Sequence, residues 1–133
     1  MKKIIISSTK KNELINITEK IKKIISESKI ENGVCIVYVP HATAAVTINE
    51  NADPNVAEDI INAINRIIPE HANYKHDRID NNAAAHIKAS IIGPSQIIPI
   101  KDGSLQLGRW QDIFLCEFDG PRERTIIIEI IKE

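Results

Sequence analysis

Apolar residues fall along this chain in short runs with two different spacings, and those spacings predict an alternation of strands and helices. Lys3 to Ser8 reads as a first strand, Lys10-Lys11-Asn12 as a turn, and Glu13 to Ile15 as a second, short strand. Ile17, Ile21, Ile24 and Ile25 then share one face at helical spacing, with Lys20, Lys22 and Lys23 on the opposite, solvated face. Asn16 reads as the N-cap of that helix, Glu19 as its capping-box partner, and Asn32-Gly33 as its close or as a turn of the chain.

Val34 to Val39 is a continuous apolar run, the pattern of a central strand, and Pro40 ends it. Ala44 to Asn49 resumes an extended pattern. Asp53-Pro54 reads as N-cap and first helical residue, and Val56, Ile60, Ile64, Ile67 and Ile68 carry a second helix as far as Pro69. His71 to Asn82 is polar and reads as a loop, whereas Ala83 to Ile92 reads as a short helix stopped by Gly93-Pro94. Three strand-like runs follow, Gln96 to Ile100, Arg109 to Phe118 and Arg124 to Ile131, with turns at Lys101-Asp102-Gly103 and Asp119-Gly120-Pro121. Strands and helices mix early and strands alone follow, which predicts an α+β fold with a largely antiparallel sheet closing toward a barrel.

The length, 133 residues, predicts one domain over 1–133. The aromatic share is only 4%, so Ile, Val, Leu and Ala must build the core. A net charge of −1 gives no basic footprint for nucleic acid. No secretory apolar segment and no membrane-spanning run is visible, and Cys35 and Cys116 lie inside apolar runs as buried thiols would in a reducing compartment. The expectation is a cytoplasmic protein with no membrane partner.

Candidate chemistry sits in the polar interruptions. His41, His76 and His86 stand beside Thr43, Glu50, Asp53, Asp77, Asp80 and Asn82, the raw material of a metal or acid–base site. Spacing alone leaves three readings open: metal ligation, structural or exposed histidines, and metal-free acid–base work. His71 follows a helix end, where a cation suits the dipole. Asp53 reads as a simple cap or as part of an anion-favouring helix start. Trp110, the single tryptophan, is core, pocket wall or interface anchor, with Gln111 beside it. Glu117, Asp119, Arg122 and Arg124 cluster around one turn, either as a surface ion-pair network or as arginines gripping a phosphate. No Walker loop, Gly-x-Gly-x-x-Gly or Gly-x-Ser-x-Gly pattern is present.

The order His41-Ala-Thr43-Ala44, Asn49-Glu50-x-x-Asp53-Pro54, His76-Asp77, Asn82-x-x-x-His86, Gly93-x-Ser95, Gly103-x-Leu105-x-Leu107-Gly108-x-Trp110-Gln111 and Glu117-x-Asp119-Gly-Pro-Arg122-x-Arg124 resembles the YjbQ-like family, described as secondary thiamine-phosphate-synthase-like. The resemblance runs from about Lys3 to Ile131. It implies a mixed, largely antiparallel, barrel-like sheet with two to three helices packed on it, assembled as a homotrimer, with a pocket at a subunit boundary. It implies a divalent metal, zinc foremost and magnesium second, on His41, His76 and His86. Glu50, Asp53, Asn82 and Glu117 become catalytic candidates. Thr43, Trp110, Gln111, Arg122 and Arg124 become ligand contacts for a small phosphorylated substrate. The implied reaction joins a pyrimidine methyl diphosphate to a thiazole phosphate with loss of diphosphate, as a secondary activity. A metal-dependent hydrolase and a trimeric, non-enzymatic ligand-binding protein are the alternatives. Two positions depart from the family pattern: Arg109 replaces a small hydroxyl residue, and Ala83 replaces a glycine.

Overall fold

Period-2 alternation sets the architecture. The computed structural model describes all 133 residues. Strands β1 (Lys2–Ser7), β2 (Glu13–Asn16), β3 (Gly33–Tyr38), β4 (Ala44–Glu50), β5 (Ser95–Lys101), β6 (Ser104–Leu105), β7 (Gln111–Glu117) and β8 (Glu123–Lys132) form two sheets. Sheet A has the order β1-β8-β3-β5-β6 and sheet B the order β2-β7-β4. Every pairing is antiparallel, so the predicted largely antiparallel sheet is antiparallel throughout. No helix is long and apolar enough to cross a membrane.

Three helices complete the fold: α1 (Thr18–Ser28), α2 (Pro54–Ile67) and α3 (Ala83–Ile92). Ile17, Ile21 and Ile25 join Ile4, Val37, Ile113, Ile126 and Ile128 in the main core between α1 and the inner faces of both sheets. Each buried isoleucine contributes about 1.5–3 kcal/mol by leaving water. A second cluster, Ala45, Ala85, Ala89, Cys116 and Phe118, packs α3 on the other face of sheet B, with Ile61 and Ile64 of α2 against it.

The predicted elements are present with shifted edges. Asn16 ends β2 instead of standing as the N-cap of α1; that cap is Ile17. Asn16 still serves the helix start, since its Oδ1 accepts the Thr18 N–H at 3.0 Å and the Thr18 hydroxyl at 2.7 Å. Glu19 does not fold back into a capping box; it is exposed and pairs with Lys22. Lys29 closes α1 in the left-handed region, earlier than Asn32-Gly33. Gly33 opens β3 instead, where a Cβ would lie 2.1 Å from the Ile131 carbonyl oxygen. Asp53 and Pro54 act as predicted, with the Asp53 carboxylate accepting the Asn55 N–H at 2.9 Å. The polar stretch before α3 contains a 3-10 turn at Lys75–Arg78 that no periodicity signals. Arg109 and Trp110 precede β7 rather than belonging to it. Both cysteines are free and buried, and burial pushes Cys35 up to about 11 and Cys116 up to about 12, so neither is a reactive thiolate.

Candidate functional site

One end of sheet B gathers most of the ionisable candidates. Glu117 ends β7 and points between the sheets, where it is fully buried. Arg124, at an inward position of β8, reaches it from sheet A and is only 3% exposed. Arg124 Nε donates to Glu117 Oε1 at 2.9 Å, and its NH2 group donates to Glu117 Oε2 and, at 2.8 Å, to Thr43 Oγ1. Ser8, at the end of β1, donates its hydroxyl to Glu117 Oε1 at 2.7 Å. Burial pushes the Glu117 carboxyl up, but hydrogen bonds from Arg124, Ser8 and the Asp119 N–H outweigh it and hold it below its ordinary value.

This network satisfies itself. Sequence reading made Glu117 catalytic and Thr43 and Arg124 ligand contacts; their polar atoms instead face one another inside the protein. They stitch sheet A to sheet B.

The neighbours of this network lie just outside. Asp119 accepts from Asn82 Nδ2 at 2.8 Å and from Arg122 at 3.0 Å, and the Arg122 side chain is half exposed. Asn82 Oδ1 is buried without a partner. Asn82 caps α3, and Asp77 Oδ1 accepts the Ala83 N–H at 3.0 Å, so the turn carrying His76 is tied to the helix carrying His86. The His76 and His86 rings meet edge to face with centroids 4.8 Å apart. His41 follows Pro40, and its Nε2 accepts the Thr125 N–H at 2.9 Å. Burial lowers the His41 pKa, and the Arg124 charge adds to this, so both favour the neutral ring.

The donor set falls short of a resident metal in one chain. A catalytic zinc takes three protein ligands. His76 and His86 supply two imidazoles, and the Asp80 carboxylate lies 3.6 Å from His76 Nε2. No group of three or more His, Cys, Asp or Glu side chains converges. The three predicted histidine ligands are not brought together as a set, because the Nε2 lone pair of His41 is taken by the Thr125 amide.

The remaining candidates lie at the other end of sheet B. Glu50 pairs with Gln111 in the register that pairs Ala44 with Glu117, so about six strand steps, roughly 20 Å, separate the two ends. Gln111 accepts the Gly108 N–H through its side chain at 2.7 Å. Trp110 is 56% exposed with the Arg109 guanidinium 4.9 Å from its ring. Asp53 acts there as a helix cap. Arg109 thus places a cation on the tryptophan, away from the histidines.

Sequence reading missed two groups. Ser8 lies 109 residues from its partner Glu117, and no local signal marks it. Lys88 is 1% exposed on α3 and donates to Asn65 Oδ1 at 2.6 Å and Asn12 Oδ1 at 3.1 Å. Its position between Ala85 and Ala89, on the face that α3 buries, was the available signal.

Comparison with known proteins fixes the lineage of this arrangement. The profile of the family described as "UPF0047 protein YjbQ-like" matches residues 2–133. The chain belongs to the YjbQ-like UPF0047 family. A UPF0047 protein of Methanocaldococcus jannaschii is 52% identical over 95% of this chain and 90% of its own length. The UPF0047 protein YugU of Bacillus subtilis is 42% identical over 98% of both chains. Among solved structures, a YjbQ/UPF0047-family protein of Clostridium acetobutylicum is 43% identical, with a TM-score of 0.95 over 98% of this chain and all of that one. A family protein of Sulfolobus solfataricus described as of unknown function reaches a TM-score of 0.96 at 40% identity, over 99% of this chain and 96% of that one.

Proposed function

We propose that this chain is an enzyme acting on a small phosphorylated molecule at the Glu117 end of sheet B. The observation that carries the reading is the convergence there of a half-exposed Arg122, the Asn82–Asp119 pair with its unpartnered Oδ1, and the His76–His86 imidazoles. An arginine fork suits a phosphate, and paired imidazoles suit proton transfer near neutral pH. In this reading Arg122 grips the phosphate. Asp119 holds the guanidinium in place, and Asn82 Oδ1 accepts from a substrate N–H or O–H. His76 and His86 exchange protons with the reacting group.

Within this class the reaction we favour is thiamine-phosphate-synthase-like: joining a pyrimidine methyl diphosphate to a thiazole phosphate with release of diphosphate. It rests on the motif order of the family resemblance. The expected divalent ion, zinc or magnesium, needs a ligand that one chain does not supply, and no step above depends on it. A homotrimer would supply a further surface. Its support is the outward face of sheet A, where Ile5, Val34, Ile36, Tyr38, Ile97 and Ile127 lie on adjacent strands without cover, an area of the kind that marks interfaces. Two buried free thiols suit a reducing cytoplasm.

The test is product analysis of the purified chain with both thiamine precursors, with zinc, with magnesium and with neither, beside elemental analysis of wild type and His86→Ala. Condensation lost in Arg122→Ala supports the reading. Hydrolysis of either precursor without condensation moves the assignment to the hydrolase alternative. No turnover under any metal, with phosphate still binding in calorimetry, supports a non-enzymatic binding protein.

A further inference from the structure

His41 makes one hydrogen bond within the chain, and it is an acceptance: its Nε2 takes the Thr125 N–H at 2.9 Å. A backbone amide only donates, so Nε2 keeps its lone pair and a neutral ring must carry its proton on Nδ1. The sheet imposes this tautomer. The last residue of β8 paired with β3 is Ile127, opposite Tyr38. Beyond it the chain leaves at Val39-Pro40, and the His41 ring takes over as acceptor for Thr125. Nδ1 has no partner in the chain and is not among the buried unsatisfied atoms, so its N–H opens to solvent. Arg124, Glu117 and Arg122 all act on the ring, Arg124 being paired with Glu117 and the half-exposed Arg122 with Asp119. A fixed N–H donor beside an accessible guanidinium is complementary to an anionic oxygen.

We propose that His41 is an oxyanion-binding residue, donating from Nδ1–H to a phosphoryl oxygen of the substrate while the Thr125 amide holds the ring in that tautomer. This rests on the reading that the site takes a phosphorylated molecule. It removes two other roles from His41. A metal ligand and a general base both need a free lone pair; that of Nε2 is occupied, and Nδ1 would have to become part of an imidazolate. His76 and His86 keep those roles to themselves.

The test is long-range nitrogen–proton NMR on histidine-labelled protein, with the His41 signals assigned by their loss in His41→Gln. The expected result is protonated Nδ1 and unprotonated Nε2; the reverse tautomer, or a mixture, overturns the proposal whatever the protein's activity. Inorganic phosphate is then titrated. Joint shifts of His41 Hδ1 and the Arg122 Nη1 protons are expected, since Arg122 Nε already donates to the Asp119 carbonyl at 2.8 Å. A shift at Arg122 alone overturns the role of His41 and leaves the phosphate site standing; no shift at either overturns both. His41→Gln keeps an acceptor for Thr125 but no donor at Nδ1, so phosphate should bind at least about tenfold more weakly. His41→Asn offers an amide donor near the Nδ1 position and should recover part of that loss. Equal phosphate affinity in wild type and both variants overturns the proposal. Should either variant fail to fold, the tautomer and phosphate shifts of the wild type still decide it.

Discussion

Replacing Glu117 with Met should cost this protein a large share of its stability, because it leaves the Arg124 guanidinium inside without its counter-ion. Arg124 is 3% exposed, and four hydrogen bonds hold it, two to Glu117 and two to Thr43. Removing one partner of such a buried pair typically costs about 3–5 kcal/mol. Against a total of about 5–15 kcal/mol for a domain, that is about a fifth of the margin or more. The expected readout is a urea midpoint lowered with unchanged slope, and a Tm roughly 10–15 °C below wild type. The double variant Glu117→Met/Arg124→Met should recover most of the loss, since an apolar pair of similar volume is often neutral or better. In that double-mutant cycle the double variant should lose several kcal/mol less than the sum of the two single losses. The pH dependence has a definite sign. The folded Glu117 carboxyl lies below its ordinary value, so its stabilisation is complete above the unfolded value of about 4.3 and is lost as pH falls through the lower folded value. The stability difference between wild type and Glu117→Met should therefore be flat near neutrality and shrink in acid. A single variant losing less than about 1 kcal/mol, the scale of an exposed ion pair, would refute the reasoning.

Other substitutions probe the same frame. Gly120→Ala would place a Cβ 2.3 Å from the Lys10 carbonyl oxygen and 2.6 Å from Ser8 Oγ, so it should lower stability by at least about 2–3 kcal/mol in urea denaturation. Asp53→Ala removes the cap on α2 and should cost about 1 kcal/mol by the same assay, without changing activity if Asp53 is only a cap. Lys88→Ala leaves the Asn12 and Asn65 oxygens without their donor and opens a void, which should cost about 2–4 kcal/mol. Trp110→Ala should change the stability of a single subunit by under about 1 kcal/mol, because the ring is already half in water. If light scattering shows that the same variant weakens self-association, Trp110 is an interface anchor.

What the sequence made legible is what local chemistry decides. Asp53-Pro54 starts α2, Ile17, Ile21 and Ile25 set the buried face of α1, and the run from Val34 makes β3 central, each by spacing within one segment. β6 is two residues long, too short to carry a period. The turn before α3 depends on left-handed residues, His71, Asn73 and Asn81, which no apolar pattern announces. The Glu117–Arg124 pair was half legible. Arg124 shares the inward parity of Ile126 and Ile128, and Glu117 shares that of Ile113 and Leu115, so both charges stood at core positions. That they neutralise each other depends on β7 and β8 facing across two sheets, a relation without a local signature.

The same distinction explains why the motif residues divide. Motif order groups Glu50, Asp53, Trp110 and Gln111 with the histidines because they are neighbours in sequence pattern, yet β4 and β7 run antiparallel and carry them to the opposite end of sheet B, roughly 20 Å from Glu117. The two ends are also chemically unlike. One carries Glu50, Asp53 and Asp112 with the Arg109 guanidinium on an exposed Trp110; the other carries His41, His76, His86 and Arg122, the last paired with Asp119. Within one subunit these groups cannot serve a single small substrate. A head-to-tail contact between copies would bring the tryptophan-bearing end against the imidazole-bearing one, the kind of contact that closes a ring. A site assembled from two copies would reunite these residues; two separate tasks would leave them apart. The Trp110 and Arg122 variants, read together for association and for turnover, separate the two.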